Sequence, residues 1–72
     1  MTRDAIRKII DAAGESFEAF TLNVFVQWGD GVLRNVNFWN VCDETLVIED
    51  NSDALLHISL DAVLAISVNG IA

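Results

Sequence analysis

Trp39 and Asn40 stand side by side in an apolar stretch. An indole can stack on a nucleobase and a neighbouring amide can hydrogen-bond the base edge, neither of which depends on net charge. The same indole could instead pack under a helix or at a contact between subunits, where tryptophan is enriched. Arg3, Arg7 and Lys8 form the basic cluster near the N-terminus. Repeated around an oligomer, they could recruit phosphate, or they could pair with acids of the adjacent subunit. Arg34 is the only basic residue after Lys8, and the many carboxylates favour an ion pair for it over a phosphate contact. Trp28 ends an alternating apolar run and reads as core.

Other reactive side chains occur singly. The one histidine, His57, has no second histidine with which to build a metal site, and it reads as a hydrogen-bonded strand residue. The lone Cys42 excludes an internal disulfide. No basic residue lies beside it in sequence to favour the thiolate, so it reads as a small, inert apolar residue. Glu49, Asp50 and Asp53 share one turn but lack the spacing of a calcium loop, and a solvated turn is expected. No glycine-rich phosphate loop, nucleophile elbow or carboxylate dyad is present. The expectation is a protein that is not an enzyme and carries no cofactor and no metal.

The elements that must position these residues follow from periodicity. Ile6, Ile9, Ile10 and Ala13 repeat at helical spacing, predicting an amphipathic helix over about 3–13. Thr2 can cap it, Asp4 suits its first turn, and Gly14 is placed to end it. From Phe20 the period becomes two: Phe20, Leu22, Val24, Val26 and Trp28 share one face of a strand. Gly29-Asp30-Gly31 is a hairpin turn signal. Further strands are expected over Val32 to about Val41, Thr45 to Glu49, Ala54 to Leu60 and Val63 to Val68, with Asn69-Gly70 opening a frayed tail. One helix followed by five short strands is an α+β domain, mainly β: a strongly bent, open barrel over about 20–68 within a single domain, 1–72.

Composition bounds the setting. The 72 residues are 53% hydrophobic and carry 4 basic and 11 acidic side chains, a net charge of −7. So small a body has too little interior for that apolar content, which points to a surface covered by a partner. The acidic balance disfavours simple electrostatic capture of nucleic acid. No apolar run has the length of a membrane span, and no signal peptide is evident. One unpaired cysteine fits a reducing compartment, so a cytoplasmic location is expected.

The order helix, then five strands, resembles the Sm-like fold of the Sm/LSm proteins and the bacterial Hfq family. Gly29, Val32, Arg34, Val36, Trp39 and Asn40 fall at the offsets of the first Sm motif, and Leu22 to Val26 resembles the strand before it. His57 to Ile66 is similar to the last two strands with their tight connection. The resemblance spans residues 3–68. It implies a closed homo-oligomeric ring in which the fourth strand of one copy meets the fifth of the next, placing Ile58, Leu60, Leu64 and Ile66 at the interface. It also implies binding of single-stranded RNA or DNA, through Trp39, Asn40, Arg3, Arg7 and Lys8. Departures from the motif weaken the second implication. Arg34 stands where the motif has its second glycine, Asn40 where it has aspartate, and Asp43-Glu44 where a Met-Asn pair is expected. Leu60-Asp61 lies where the family carries a cation. A structural or adaptor ring that contacts protein and binds no nucleic acid is therefore the competing expectation.

Overall fold

In the computed structural model, which describes residues 1–71, Thr2 opens the N-terminal helix. Its hydroxyl accepts the Ala5 amide at 3.2 Å, satisfying one of the donors that the first turn leaves without a partner. The helix, α1, runs Arg3–Ser16, beyond the expected end at 13. Gly14 stays helical, and the chain turns extended at Phe17, whose amide donates to the Ala13 carbonyl at 3.0 Å. Tertiary packing sets this exit: the Phe17 ring occupies the space that a Cβ on Gly70 would fill. Toward the sheet α1 buries Ile6 completely and Ala13 nearly so, with Ile10 packed against the same core.

Five strands follow: β1 (Ala19–Val26), β2 (Val32–Val41), β3 (Thr45–Glu49), β4 (Leu55–Ser59) and β5 (Val63–Ile71). A 3-10 turn, Leu60–Ala62, joins the last two. Every pairing is antiparallel, and the order is β4-β3-β2-β1-β5. Among the described residues the sheet does not close, so β4 and β5 are its edges. The fold is thus α+β, mainly β, as the periodicity predicts.

Two boundaries differ from expectation. β1 stops at Val26 instead of continuing to Trp28, because Gly29 and Gly31, at φ 61° and 82°, take the chain into a turn. The Gly31 amide donates to the Trp28 carbonyl within it. Trp28 therefore sits on the turn, 49% exposed, and is not core. The expected frayed tail is ordered strand: Asn69, Gly70 and Ile71 pair with Thr21, Phe20 and Ala19. That pairing joins residues some 50 positions apart in the chain, a partner that local composition does not announce.

β2 divides its length between two neighbours. Val32 to Val36 pairs with β1, and Asn37 to Val41 with β3. At the changeover Asn35 is left-handed, φ 54°, a region that asparagine tolerates better than most residues. Its amide donates to Asn23 Oδ1 at 3.0 Å. Among the described residues, one hydrophobic cluster forms the core, built from Ile6, Leu22, Val24, Val36, Leu46, Ile48 and Val63 with their neighbours. Among the described residues, no helix is long and apolar enough to cross a membrane.

Candidate nucleic-acid interface

Trp39 occupies a bulge. Phe38 pairs with Ile48 and Asn40 with Val47, which leaves Trp39 as an extra residue on β2. In such a bulge two residues oppose one, and the strand is locally re-aimed. Trp39 is 59% exposed, so it does not pack beneath the helix. Asn40 is exposed beside it; its Oδ1 accepts the Val41 amide at 2.9 Å, and its Nδ2 approaches Cys42 Sγ at 3.6 Å. An open indole face next to an amide is what base stacking with edge recognition requires.

The helix cations reach the same end of β2 but are largely engaged there. The Arg3 guanidinium pairs with the Asp43 carboxylate in the β2–β3 turn and lies 3.8 Å from Asp4. Arg7 Nη2 donates to the Val41 carbonyl at 3.4 Å. Lys8 is exposed and, among the described residues, makes no ion pair. Three of the predicted residues, Arg3, Arg7 and Asn40, thus converge on the stretch from Asn40 to Asp43. A recess of about 650 Å³ opens beside them, between the start of α1, Asp43, Glu44 and the Ser59–Asp61 turn. Its carboxylates make it unattractive to phosphate.

Other expectations are corrected. The ion pair expected for Arg34 does not form among the described residues; the side chain is exposed. It borders a recess of about 500 Å³ with Asp30 and Asp50. The left-handed position in β2 is Asn35, not Arg34, so the arginine does not occupy a site that requires glycine. His57 is an exposed residue of the edge strand β4, and no hydrogen bond to its side chain occurs among the described residues. An edge strand has no second neighbour to supply one. Cys42 is exposed. Of the four interface candidates, Ile58 (3% exposed) and Leu60 (6%) point into the chain's own core, because alternation on β4 turns Ile58 inward. Leu64 is the extra residue of a second bulge, since Phe25 pairs with Ala65 and Val26 with Val63. It is 57% exposed. Ile66 is half-buried against the core.

Asp50 organises the β3–β4 turn. Its Oδ1 accepts the Ser52 amide at 2.9 Å, the Ser52 hydroxyl at 2.8 Å and the Ala54 amide at 3.0 Å. The Ser52 hydroxyl first, then the Ala54 and Ser52 amides, hold its carboxyl below the usual range. These three bonds all fall on one oxygen of Asp50. Among the described residues, no three side chains of metal-ligating type come together.

One polar cluster escaped sequence reasoning. Asn69 Nδ2 donates to both Asn23 Oδ1 and Asn35 Oδ1 at 3.2 Å, and Asn23 Nδ2 donates to Ser67 Oγ at 3.2 Å. The network ties β5, β1 and the left-handed Asn35 of β2 together. Its members lie 12 to 46 residues apart, so no local motif could reveal it.

No protein-family model, curated protein or solved structure matches this chain.

Proposed function

We propose that this protein is an Sm-like domain that assembles into a homo-oligomeric ring and binds single-stranded nucleic acid weakly. A helix followed by five antiparallel strands is the architecture that reading requires. The strand order supports the assembly: β4 and β5 are both unpaired edges, and β4 of one copy can add to β5 of the next. Head-to-tail contacts of this kind close when the rotation divides a full turn. Leu55 on β4 and Leu64 on β5, both exposed, lie where such a contact would cover them.

The observation that carries the binding function is the Trp39 indole, lifted on a bulge and more than half exposed next to Asn40. Seven carboxylates from Asp30 to Asp61 against the single Arg34 leave the strand region at −6. Counterion release therefore contributes little, and affinity rests on stacking, about 1–3 kcal/mol per base, repeated around the ring. The engagement of Arg3 and Arg7 within the chain favours a second reading, an adaptor ring that contacts a protein partner.

Native mass spectrometry combined with fluorescence anisotropy on a labelled uridine oligomer separates the readings. The expected result is an oligomer that binds single strands at micromolar sites, ignores duplex, and loses most binding in Trp39→Ala while its mass is retained. A ring with no binding leaves the adaptor function standing; a monomer at micromolar concentration removes the ring.

A further inference from the structure

The register of β2, β3 and β4 builds a row across the outer surface that the sequence does not display. Trp39 and Asn40 both oppose Val47, and Val47 in turn pairs with His57. Leu46 and Ile48 point into the core, so alternation turns Val47 outward. Yet Val47 is only 7% exposed and stands apart from the core cluster. An outward valine on an open sheet is hidden only if its flanking side chains close over it. Those flanks are Trp39 and Asn40 on one side and His57 on the other. The register therefore sets the indole, the amide and the imidazole in one row around Val47, with Thr45 and Glu49 along the strand, about two strand spacings wide, or roughly 10 Å. That span suits a base on the indole with an adjoining phosphate reaching toward β4.

Building on the proposed single-strand binding, we propose that His57 completes the Trp39–Asn40 surface as a protonatable phosphate contact, so that binding tightens as the pH falls below neutral. An imidazolium offers two N–H donors and a charge, whereas the same patch at higher pH offers stacking alone. The side chain is exposed and holds no hydrogen bond among the described residues, so both nitrogens are free for a ligand. Only β3 adjoins β4, and of its outward side chains, Thr45, Val47 and Glu49, just Glu49 is ionisable. From β2 the patch receives Asn37, Trp39 and Asn40, all uncharged. The adjoining turns contribute Asp43 and Glu44 at one end, with Arg3 paired to Asp43, Asp50 and Asp53 at the other, where Arg34 borders the same recess as Asp50 and Leu56, and Asp61 beyond Ser59. Among the outward side chains of β3 and β4, His57 is thus the one able to become a cation. Imidazole is also the side chain that ordinarily changes charge between about pH 8 and 5, and the chain has a single histidine. Comparison of wild type with a His57 variant therefore isolates the share of any pH response that belongs to this position.

The test is anisotropy with a labelled uridine oligomer at about pH 7.5 and about pH 5.5, each over a salt series. Wild type is expected to tighten several-fold at the lower pH. Its plot of log affinity against log salt should steepen by about 0.7, the increment of one added phosphate contact on a single strand. His57→Gln should match wild type at the higher pH and show neither change, and His57→Arg should bind tightly at both. Because His57 is exposed, circular dichroism of both variants should overlay that of wild type. An undiminished pH response in His57→Gln overturns the role of His57 and leaves the Trp39 surface standing. Failure of wild type to bind at either pH overturns both.

Discussion

Replacing Gly70 by alanine places one methyl group where the Phe17 ring already sits. Gly70 is paired with Phe20 inside the β1–β5 ladder, so backbone pairing resists any move away from the ring. Phe17 is equally constrained, since it is the residue on which α1 ends. Forcing an extra carbon into a filled contact costs about 1–3 kcal/mol. For a domain of this size each kcal/mol lowers Tm by about 4–8 °C, so Gly70→Ala should melt about 4–24 °C below wild type. The same substitution in a Phe17→Ala background no longer meets the ring that supplies its three nearest contacts. There it should be neutral, or stabilise by about 0.4–1 kcal/mol through the narrower unfolded ensemble. Thermal unfolding of the four proteins, at one protomer concentration because assembly would couple to melting, closes a double-mutant cycle. The expected coupling is at least about 1 kcal/mol. Equal effects of Gly70→Ala in both backgrounds would refute the idea that this close approach fixes where the helix ends.

Ile6, fully buried at the junction of α1 with the sheet, should cost about 2–5 kcal/mol when cut to alanine, whereas exposed Lys8→Ala should stay within about 0.5 kcal/mol; denaturant titration of both variants checks the contrast. Asp50 has its folded carboxyl held below the usual range by the Ser52 hydroxyl and the Ala54 and Ser52 amides. A depressed folded value means that its stabilisation is complete above the unfolded value, about pH 3.9, and is lost as the pH falls through the folded one. The Tm gap between wild type and Asp50→Asn should therefore be widest near neutrality and shrink below about pH 4, and a gap independent of pH would contradict the assignment.

How much could be read from the residues depended on how local the cause was. Thr2 capping, the turn glycines Gly29 and Gly31, and the span of β3 all rest on interactions within a few positions. Each was predictable. The end of α1, the length of β5 and the exposure of Trp28 depend on partners distant in the chain or on where a turn interrupts an apolar run. Gly14 reads as a helix stop on local grounds, whereas the actual end is set by the distant meeting of Phe17 with Gly70. At the candidate site, Trp39 and Asn40 were legible by type. Their alignment with His57 was not, since the bulge at Trp39 shifts the register by one residue and period-two reasoning assumes no such shift. The resemblance places Ile58 and Leu60 at an interface, and the sequence offers no correction, because an apolar edge strand reads the same whether its side chains face inward or toward a neighbour.

The strand order also sets a route for folding. β1–β2, β2–β3 and β3–β4 are hairpins between consecutive strands, whose short loops close quickly. β5 is different: it follows β4 in the chain but must cross to the far side of the sheet to reach β1. The formed hairpins shorten the effective loop between β1 and β5, so the closure entropy of that ladder is lowest once the meander is in place. Docking of β5 is the natural last step. Until it happens β1 stands as an open edge with Leu22, Val24 and Val26 along one face. Copies meeting in that interval could pair through β1, and the wrong assembly would compete with the native sheet whenever concentration outpaces closure.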